Sequence, residues 1–417
     1  DIDGDGILNE DDAFPEDPDE SSDIDGDGIG DNADTDADGD GVENTSDCDD
    51  FDAETYPLAS DSPDKDYIDS NCDGIDGDES LAIWVSNTEG TDTNDGSIAS
   101  PVKTIAKGIE LAKALSTTSA HVYVVAGSYA EDVLLNSDVS LFGGFATLSA
   151  GTRDRHVENH ETAIYGVDSL DSVDVVFDGT TQSLHYSLLI RDTLSEVGGL
   201  SIHGDIEGLN VIIVDANVTF EQIQVIDDTD DVITREGTAG MTVVLTDTAA
   251  SDYSVTVSQS SFLMSGSAPT AGWISAVLAV PADGANAALE LNINNNTFNF
   301  EGTVDLAMGI FAADNDSDAS DDPATDGKAS ISLVASENEI NLIGTADIAI
   351  GISMGAVPDG MFGSSMDWYF LNQALVEKNT ITIANSSSAN LGLSAGFVRL
   401  ESEISNNLII TNSDGAE

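Results

Sequence analysis

Residues 1–47 carry aspartate at alternate positions, interrupted by Asp-Gly, in three sets that share one register. The first set is Asp1, Asp3, Asp5, Gly6, Asn9 and Asp12. The second is Asp23, Asp25, Asp27, Gly28, Asp31 and Asp34, and the third is Asp36, Asp38, Asp40, Gly41, Asn44 and Asp47. A segment built this way has too little apolar surface to fold around a core, and its like charges push it apart. It can fold around a cation. A hard divalent ion takes roughly six to eight oxygens, and a short loop supplies them from positions 1, 3, 5, 9 and 12 with glycine at 6. The glycine turns the chain so that the next carbonyl, from Ile7, Ile29 or Val42, also faces the ion. An all-protein oxygen set of high coordination number favours calcium over magnesium. A disordered acidic tail is the plainer reading of a charge run. Three sets in one register, each with its glycine and an aliphatic neighbour, do not suit it.

The rest of the composition narrows the partners. The chain has 417 residues and a formal charge of −68, from 79 acids against 11 bases. Lys65 is the one base before residue 81, but the acidity continues beyond it. Nucleic acid and anionic membrane are repelled by such a surface, and no basic patch is present to take phosphate. No run approaches the length of a spanning helix, so no direct membrane insertion is expected. The chain opens on Asp1 without a leader-like stretch, which reads as a processed or trimmed piece. Millimolar calcium exists outside cells, so sites this numerous place the chain in a secreted or surface setting.

The text DGDGILNEDDAFPEDPDE followed by DIDGDGIGDNADTDADGDGV resembles the thrombospondin type 3 repeat, in the cysteine-poor form of bacterial surface proteins. The resemblance covers residues 1–47 and implies calcium ions held in series along a chain with almost no hydrophobic core. The cysteines that staple successive repeats in the animal pattern are missing, so order here should depend on metal even more.

Residues 47–80 contain DCDDFDAETYPLASDSPDKDYIDSNCDGIDGDE, which looks like a short acidic metal-binding motif of bacterial secreted proteins. Cys48 and Cys72, the only cysteines, stand at that motif's two cysteine positions. In an exported chain this argues for one disulfide, contributing on the order of 3 kcal/mol. A thiolate metal site is the alternative, disfavoured by the hard oxygens around both residues. The resemblance implies that Asp47, Asp49, Asp50, Asp52, Asp69, Asn71, Asp73 and Asp76 surround one or two further calcium ions.

At Leu81 the composition turns apolar, and residues 81–417 read as the body. A strand, a polar loop, a helix and two strands are expected over residues 81–145. Ser100 and Pro101 stand as N-cap and first helical residue, and Ile105, Ile109 and Ala112 form the apolar stripe. Trp84-Val85-Ser86, Pro101 with Thr104-Ile105, residues 122–127 with Tyr129 and Glu131, and residues 141–145 resemble the N-terminal cap of a right-handed parallel β-helix of the pectin-lyase type. A helix has work to do there, because the first rung leaves an open sheet end.

The coils, over about 160–417, announce themselves by a repeat of the form apolar-x-x-Asn-x-apolar-x-apolar. It occurs at Val257/Ser260/Phe262/Met264, Ile293/Asn296/Phe298/Phe300, Ala335/Asn338/Ile340/Leu342, Val376/Asn379/Ile381/Ile383 and Ile404/Asn407/Ile409/Thr411. Asparagine is expected at the bend because it tolerates the left-handed conformation. Unequal spacing implies loops inserted on one side, including residues 313–328. Small-residue strands are expected over residues 306–312, 348–354 and 391–398. The fold class is therefore mostly β: a right-handed parallel β-helix with an N-terminal cap helix, preceded by an irregular calcium-wrapped acidic segment.

β-helices of this type often cleave acidic polysaccharides, with calcium and a basic residue in lyases or paired carboxylates in hydrolases. The nearest cluster here is Asp227, Asp228, Asp230 and Asp231 with Arg235, which reads more simply as a solvated acidic loop. His185 and His203 lack partner motifs, and no catalytic residue is assigned. The expected role is a calcium-binding extracellular stalk, adhesin or matrix element. Its partners would be calcium, extracellular polysaccharide or like subunits, and its rivals are a polysaccharide-active enzyme and a calcium-dependent filament subunit.

Overall fold

The computed structural model describes the chain apart from residues 116–119, 149–153, 168–171, 178–179, 205–208, 228–236, 266–272, 283–284, 313–328, 355–369, 372, 385, 396, 399–402 and 413–417. It divides into two compact units, Asp1–Leu81 with Thr152–Arg155, and Ala82–Gly151 with His156–Glu417. Of the acidic cluster, Asp228, Asp230, Asp231 and Arg235 lie outside the described residues, as does the loop at 313–328.

The second unit is a right-handed parallel β-helix. Its strands stack into three long sheets, one of 10 strands and two of 9. All strand pairings are parallel except that of Ser172–Phe177 against Thr180–Arg191, which is antiparallel. Along each strand alternate residues turn inward, as the two-residue period requires. The sequence repeat is the register itself. Val257, Ile293, Ala335, Val376 and Ile404 pair in succession down the first sheet. Phe262, Phe298, Ile340, Ile381 and Ile409 do so down the second. Phe262 and Phe298 stack with ring centroids 4.9 Å apart. In the third sheet, strands Thr303–Ala312 and Thr345–Met354 hold the small-residue segments expected at 306–312 and 348–354, and Ser386–Ala395 holds 391–395 of the third, whose Phe397–Val398 pairs in a separate two-stranded sheet. Gly309 is needed there, since a Cβ on it would come within 2.5 Å of the Gly351 carbonyl on the next coil.

Between the first and second sheets the asparagines form a ladder. The Asn296 N–H donates to Asn338 Oδ1 at 3.0 Å, Asn338 to Asn379 at 3.1 Å, and Asn379 to Asn407 at 3.0 Å. Each side-chain amide also reaches back to a carbonyl of the preceding coil, as Asn338 Nδ2 does to Ile293 at 2.7 Å. The Ser260 N–H makes the same bond, donating to Asn296 Oδ1 at 2.9 Å. The left-handed residue is a different one from that expected. It precedes the ladder position, at Gln259, Asn295, Glu337, Lys378 and Asn406, with φ between 49° and 57°. The asparagine is there for its side chain, which satisfies buried backbone groups on two coils. Two earlier coils place Leu200 and Ile223 at this position, which is why the repeat is invisible in them.

The cap helix runs over Ile105–Ala114 and buries Ile105, Ile109 and Ala112 as expected. Its N-cap is Thr104, not Ser100: the Thr104 hydroxyl accepts the Lys107 N–H at 3.2 Å. Two carboxylates complete the cap. Glu131 accepts the N–H groups of Ile105 and Ala106 at 2.9 and 3.0 Å, and Asp92 those of Lys103 and Thr104 at 2.9 and 3.0 Å. A hydroxyl and two anions accepting five N–H groups fix the start more firmly than a Ser-Pro pair could.

Candidate metal centre

Among its described residues the first unit has no strand and no α-helix, only turns and a short 3-10 segment at Glu79–Leu81. Its buried apolar side chains are Ala37, Ala59 and Ile75, while Ile2, Ile7, Ile24 and Ile29 stand exposed. Apolar burial this slight cannot offset the backbone entropy of ordering the segment. What orders it locally is aspartate accepting backbone hydrogen bonds.

The three sets build the same loop. At position 3 one carboxylate oxygen accepts the N–H of position 5: Asp3 from Asp5 at 3.2 Å, Asp25 from Asp27 at 3.0 Å, Asp38 from Asp40 at 3.2 Å. At position 5 one oxygen accepts the N–H of position 7: Asp5 from Ile7 at 2.7 Å, Asp27 from Ile29 at 2.8 Å, Asp40 from Val42 at 2.6 Å. Position 9 accepts from position 2 in two sets, Asp31 from Ile24 at 2.9 Å and Asn44 from Ala37 at 3.0 Å. Position 12 accepts from the chain leaving the loop: Asp12 from Phe14, Asp34 from Asp36 and Asp47 from Cys48. Glycines at position 6 (Gly6, Gly28, Gly41) have positive φ, and so do Gly4, Gly26 and Gly39 at position 4. The repeated Asp-Gly-Asp-Gly carries this second glycine, which the spacing rule at position 6 does not ask for.

Asp3, Asp31, Asp38, Asp40 and Asp47 thus spend one oxygen on the backbone and keep the other buried and unpartnered, whereas Asp23 accepts the Gly26 and Gly28 N–H groups on its two oxygens. The carboxylate oxygens of Asp1, Asp3 and Asp5 lie within 4.8 Å of one another, as do those of Asp23, Asp25 and Asp27, and of Asp36, Asp38 and Asp40. Seven buried oxygens in this unit have no hydrogen-bond partner: Asp3 Oδ2, Asn9 Oδ1, Asp31 Oδ2, Asp36 Oδ1, Asp38 Oδ2, Asp40 Oδ2 and Asp47 Oδ2. All seven belong to positions 1, 3, 5, 9 or 12 of a set. Asp38 is only 7% exposed. Burial pushes its carboxyl up from the ordinary value, and Asp40, Asp47 and Asp36 push the same way. Converging, desolvated anions of this kind are costly alone and are stabilised by a hard cation. The donor set fits calcium.

The disulfide motif is assembled differently. Cys48 and Cys72 are joined, with Cα atoms 6.3 Å apart. Asp69, Asn71 and Asp73 repeat positions 1, 3 and 5, with Gly74 at 6, yet their oxygens are taken. Asp69 accepts the N–H groups of Asp73 and Gly74 at 3.0 and 2.8 Å, and Asn71 accepts Asp73 at 2.9 Å. Asp73 accepts those of Ile75 and Glu79 at 3.1 and 2.8 Å. Asp76 accepts the Asp64 N–H at 2.9 Å and the Arg155 guanidinium at 2.7 Å. Asp49 and Asp52 accept turn N–H groups from Phe51 and Glu54, and Asp50 lies outside the three carboxylate clusters found among the described residues. Asp61 and Arg155 were not singled out in the sequence. Asp61 is buried and accepts the Gly77 N–H at 2.9 Å.

The fold and these loops define a class: a right-handed parallel β-helix preceded in sequence by an acidic, disulfide-closed unit with three carboxylate loops. Compared with known proteins, the chain matches no family model, no curated protein and no solved structure.

Proposed function

We propose that the chain is a calcium-binding structural protein of the extracellular space or bacterial cell surface, a stalk, adhesin or matrix element whose acidic unit is ordered by calcium. The observation that carries this reading is the set of seven unpartnered buried oxygens, each at a ligand position of a loop. Ligands in the three loops would be the carboxylates of Asp1, Asp3, Asp5, Asp12, Asp23, Asp25, Asp27, Asp31, Asp34, Asp36, Asp38, Asp40 and Asp47, with Asn9, Asn44 and the carbonyls of Ile7, Ile29 and Val42. Calcium supplies charge neutralisation and fixes the loop, and the chain's own part is to present preset oxygens. Thrombospondin type 3 repeats for residues 1–47, and a pectin-lyase-type body, are the family reading that goes with this function. The disulfide agrees with an oxidising compartment, where calcium is also plentiful.

A polysaccharide-cleaving activity has less support. In the third sheet the residues alternating with the core, including Ile212, Val214, Val244, Leu278, Val280 and Phe311, form a second buried apolar cluster and not a polar cleft. Isothermal titration calorimetry of the full chain tests the proposal: calcium should bind at several sites and magnesium far more weakly. A flat calcium titration up to millimolar concentration would remove it.

A further inference from the structure

We infer that the Arg155 guanidinium is the resident cation of the disulfide-closed motif, so that residues 61–79 hold their shape without the metal that residues 1–47 call for. The motif carries the loop register at Asp69, Asn71, Asp73 and Gly74, and the same turn bonds from position 5 to 3 and from 7 to 5. In the first and third loops such turns leave second oxygens buried and unpartnered, at Asp3, Asp38 and Asp40, and the second loop leaves Asp31 Oδ2 so, but here no oxygen of Asp61, Asp69, Asn71, Asp73 or Asp76 is left so. Asp69, Asp61 and Asp73 accept the Gly74, Gly77 and Glu79 N–H groups, and the Asp76 carboxylate is paired with the Arg155 guanidinium.

Arg155 is built into this place. Its Nη1 donates to Asp76 Oδ2 and to the Asp64 carbonyl, both at 2.7 Å. The guanidinium carbon sits 5.6 Å from the centre of the Tyr67 ring. The side chains of Arg155 and Asp76 are 1% and 3% exposed, a burial that a charge tolerates only when paired and hydrogen-bonded. The Asp64 N–H closes on the other Asp76 oxygen at 2.9 Å, so a single carboxylate is gripped from both sides. A planar cation with fixed donors can thus stand where a calcium ion would otherwise be needed. The calcium-responsive part of the unit then ends near Asp47.

Hydrogen exchange on the full, oxidised chain tests this, in calcium and in chelator. In the wild type, the amides of Asp64, Gly74, Ile75, Gly77 and Glu79 should keep their protection on chelation, while those of residues 1–47 lose at least about tenfold. Arg155→Ala should lower protection at the first group by at least about tenfold in chelator, and Arg155→Lys, which keeps the charge, by less. Loss of protection at residues 64–79 in step with residues 1–47 on chelation would overturn the inference, as would an Arg155→Ala chain matching the wild type. Residues 1–47 indifferent to chelator, with residues 64–79 still sensitive to Arg155, would instead remove the calcium reading and leave this one standing.

Discussion

Both units bury polar groups, and they dispose of them in opposite ways. In the β-helix the interior asparagines bond to one another and to carbonyls above and below, so the ladder is complete from Ser260 to Asn407. In the acidic loops the backbone takes one oxygen of carboxylates such as Asp3 and Asp38 and leaves the other buried without a donor. A polar network that closes on itself rigidifies a fold, whereas one left open is unstable until something fills it. Buried oxygens therefore serve the structure in one unit, and in the other they stand open to the cation proposed above.

The largest expected difference between the units is their response to chelation. With calcium a hundredfold above its dissociation constant, each filled loop gains about 2.7 kcal/mol, all of it lost in chelator. Limited proteolysis should then cut within residues 1–47 while the β-helix melts at an unchanged temperature. Equal sensitivity of both units would break the comparison. Next in size is the ladder itself. Asn338→Ala removes the acceptor for Asn296 and the donor to Ile293, leaving buried groups unpaired, and should cost about 3 kcal/mol in denaturant unfolding of the β-helix. Calcium binding should not change.

Within the loops, Asp38→Asn keeps the shape and removes one charge from the most buried site. It should weaken the tightest calcium event by about tenfold in calorimetry, with a smaller effect from Asp3→Asn, whose loop is more open. Chelated protein should also show an inverted pH response. Burial raises the Asp61 carboxyl to about 7 and that of Asp76 to about 6, against the Gly77 N–H on one and Arg155 on the other. Raised values mean that protonation favours the folded unit, so this contribution is present below about pH 4 and disappears as pH climbs through 6 to 7. Exchange protection around Gly77 should fall between pH 5 and 8, and Asp61→Asn should flatten that fall. The smallest effect is expected at the helix start, where Thr104→Val should cost about 1 kcal/mol while Ser100→Ala stays near wild type.

Much of this was legible in the sequence because spacing carries it. Alternate aspartates with a glycine define a loop, and apolar residues flanking an asparagine define a coil, so the register of five coils could be read directly. What was missed lies beyond local pattern. Leu200 and Ile223 break the asparagine rule where the ladder has not begun, and their coils were passed over. The left-handed residue at each bend varies among Gln, Asn, Glu and Lys, so no residue type marks it. The helix start was misplaced because Glu131, 26 residues from the Ile105 N–H it accepts, supplies part of the cap. Arg155 lies 79 residues from Asp76, and nothing in its neighbourhood announces a carboxylate partner.

The most direct test is a crystal structure grown in millimolar calcium. The account predicts ions at about 2.3–2.6 Å from oxygens of Asp36, Asp38, Asp40 and Asp47 and from the Val42 carbonyl, with equivalent ions in the two preceding loops. Those same side chains turned out into solvent, with no density among them, would contradict it.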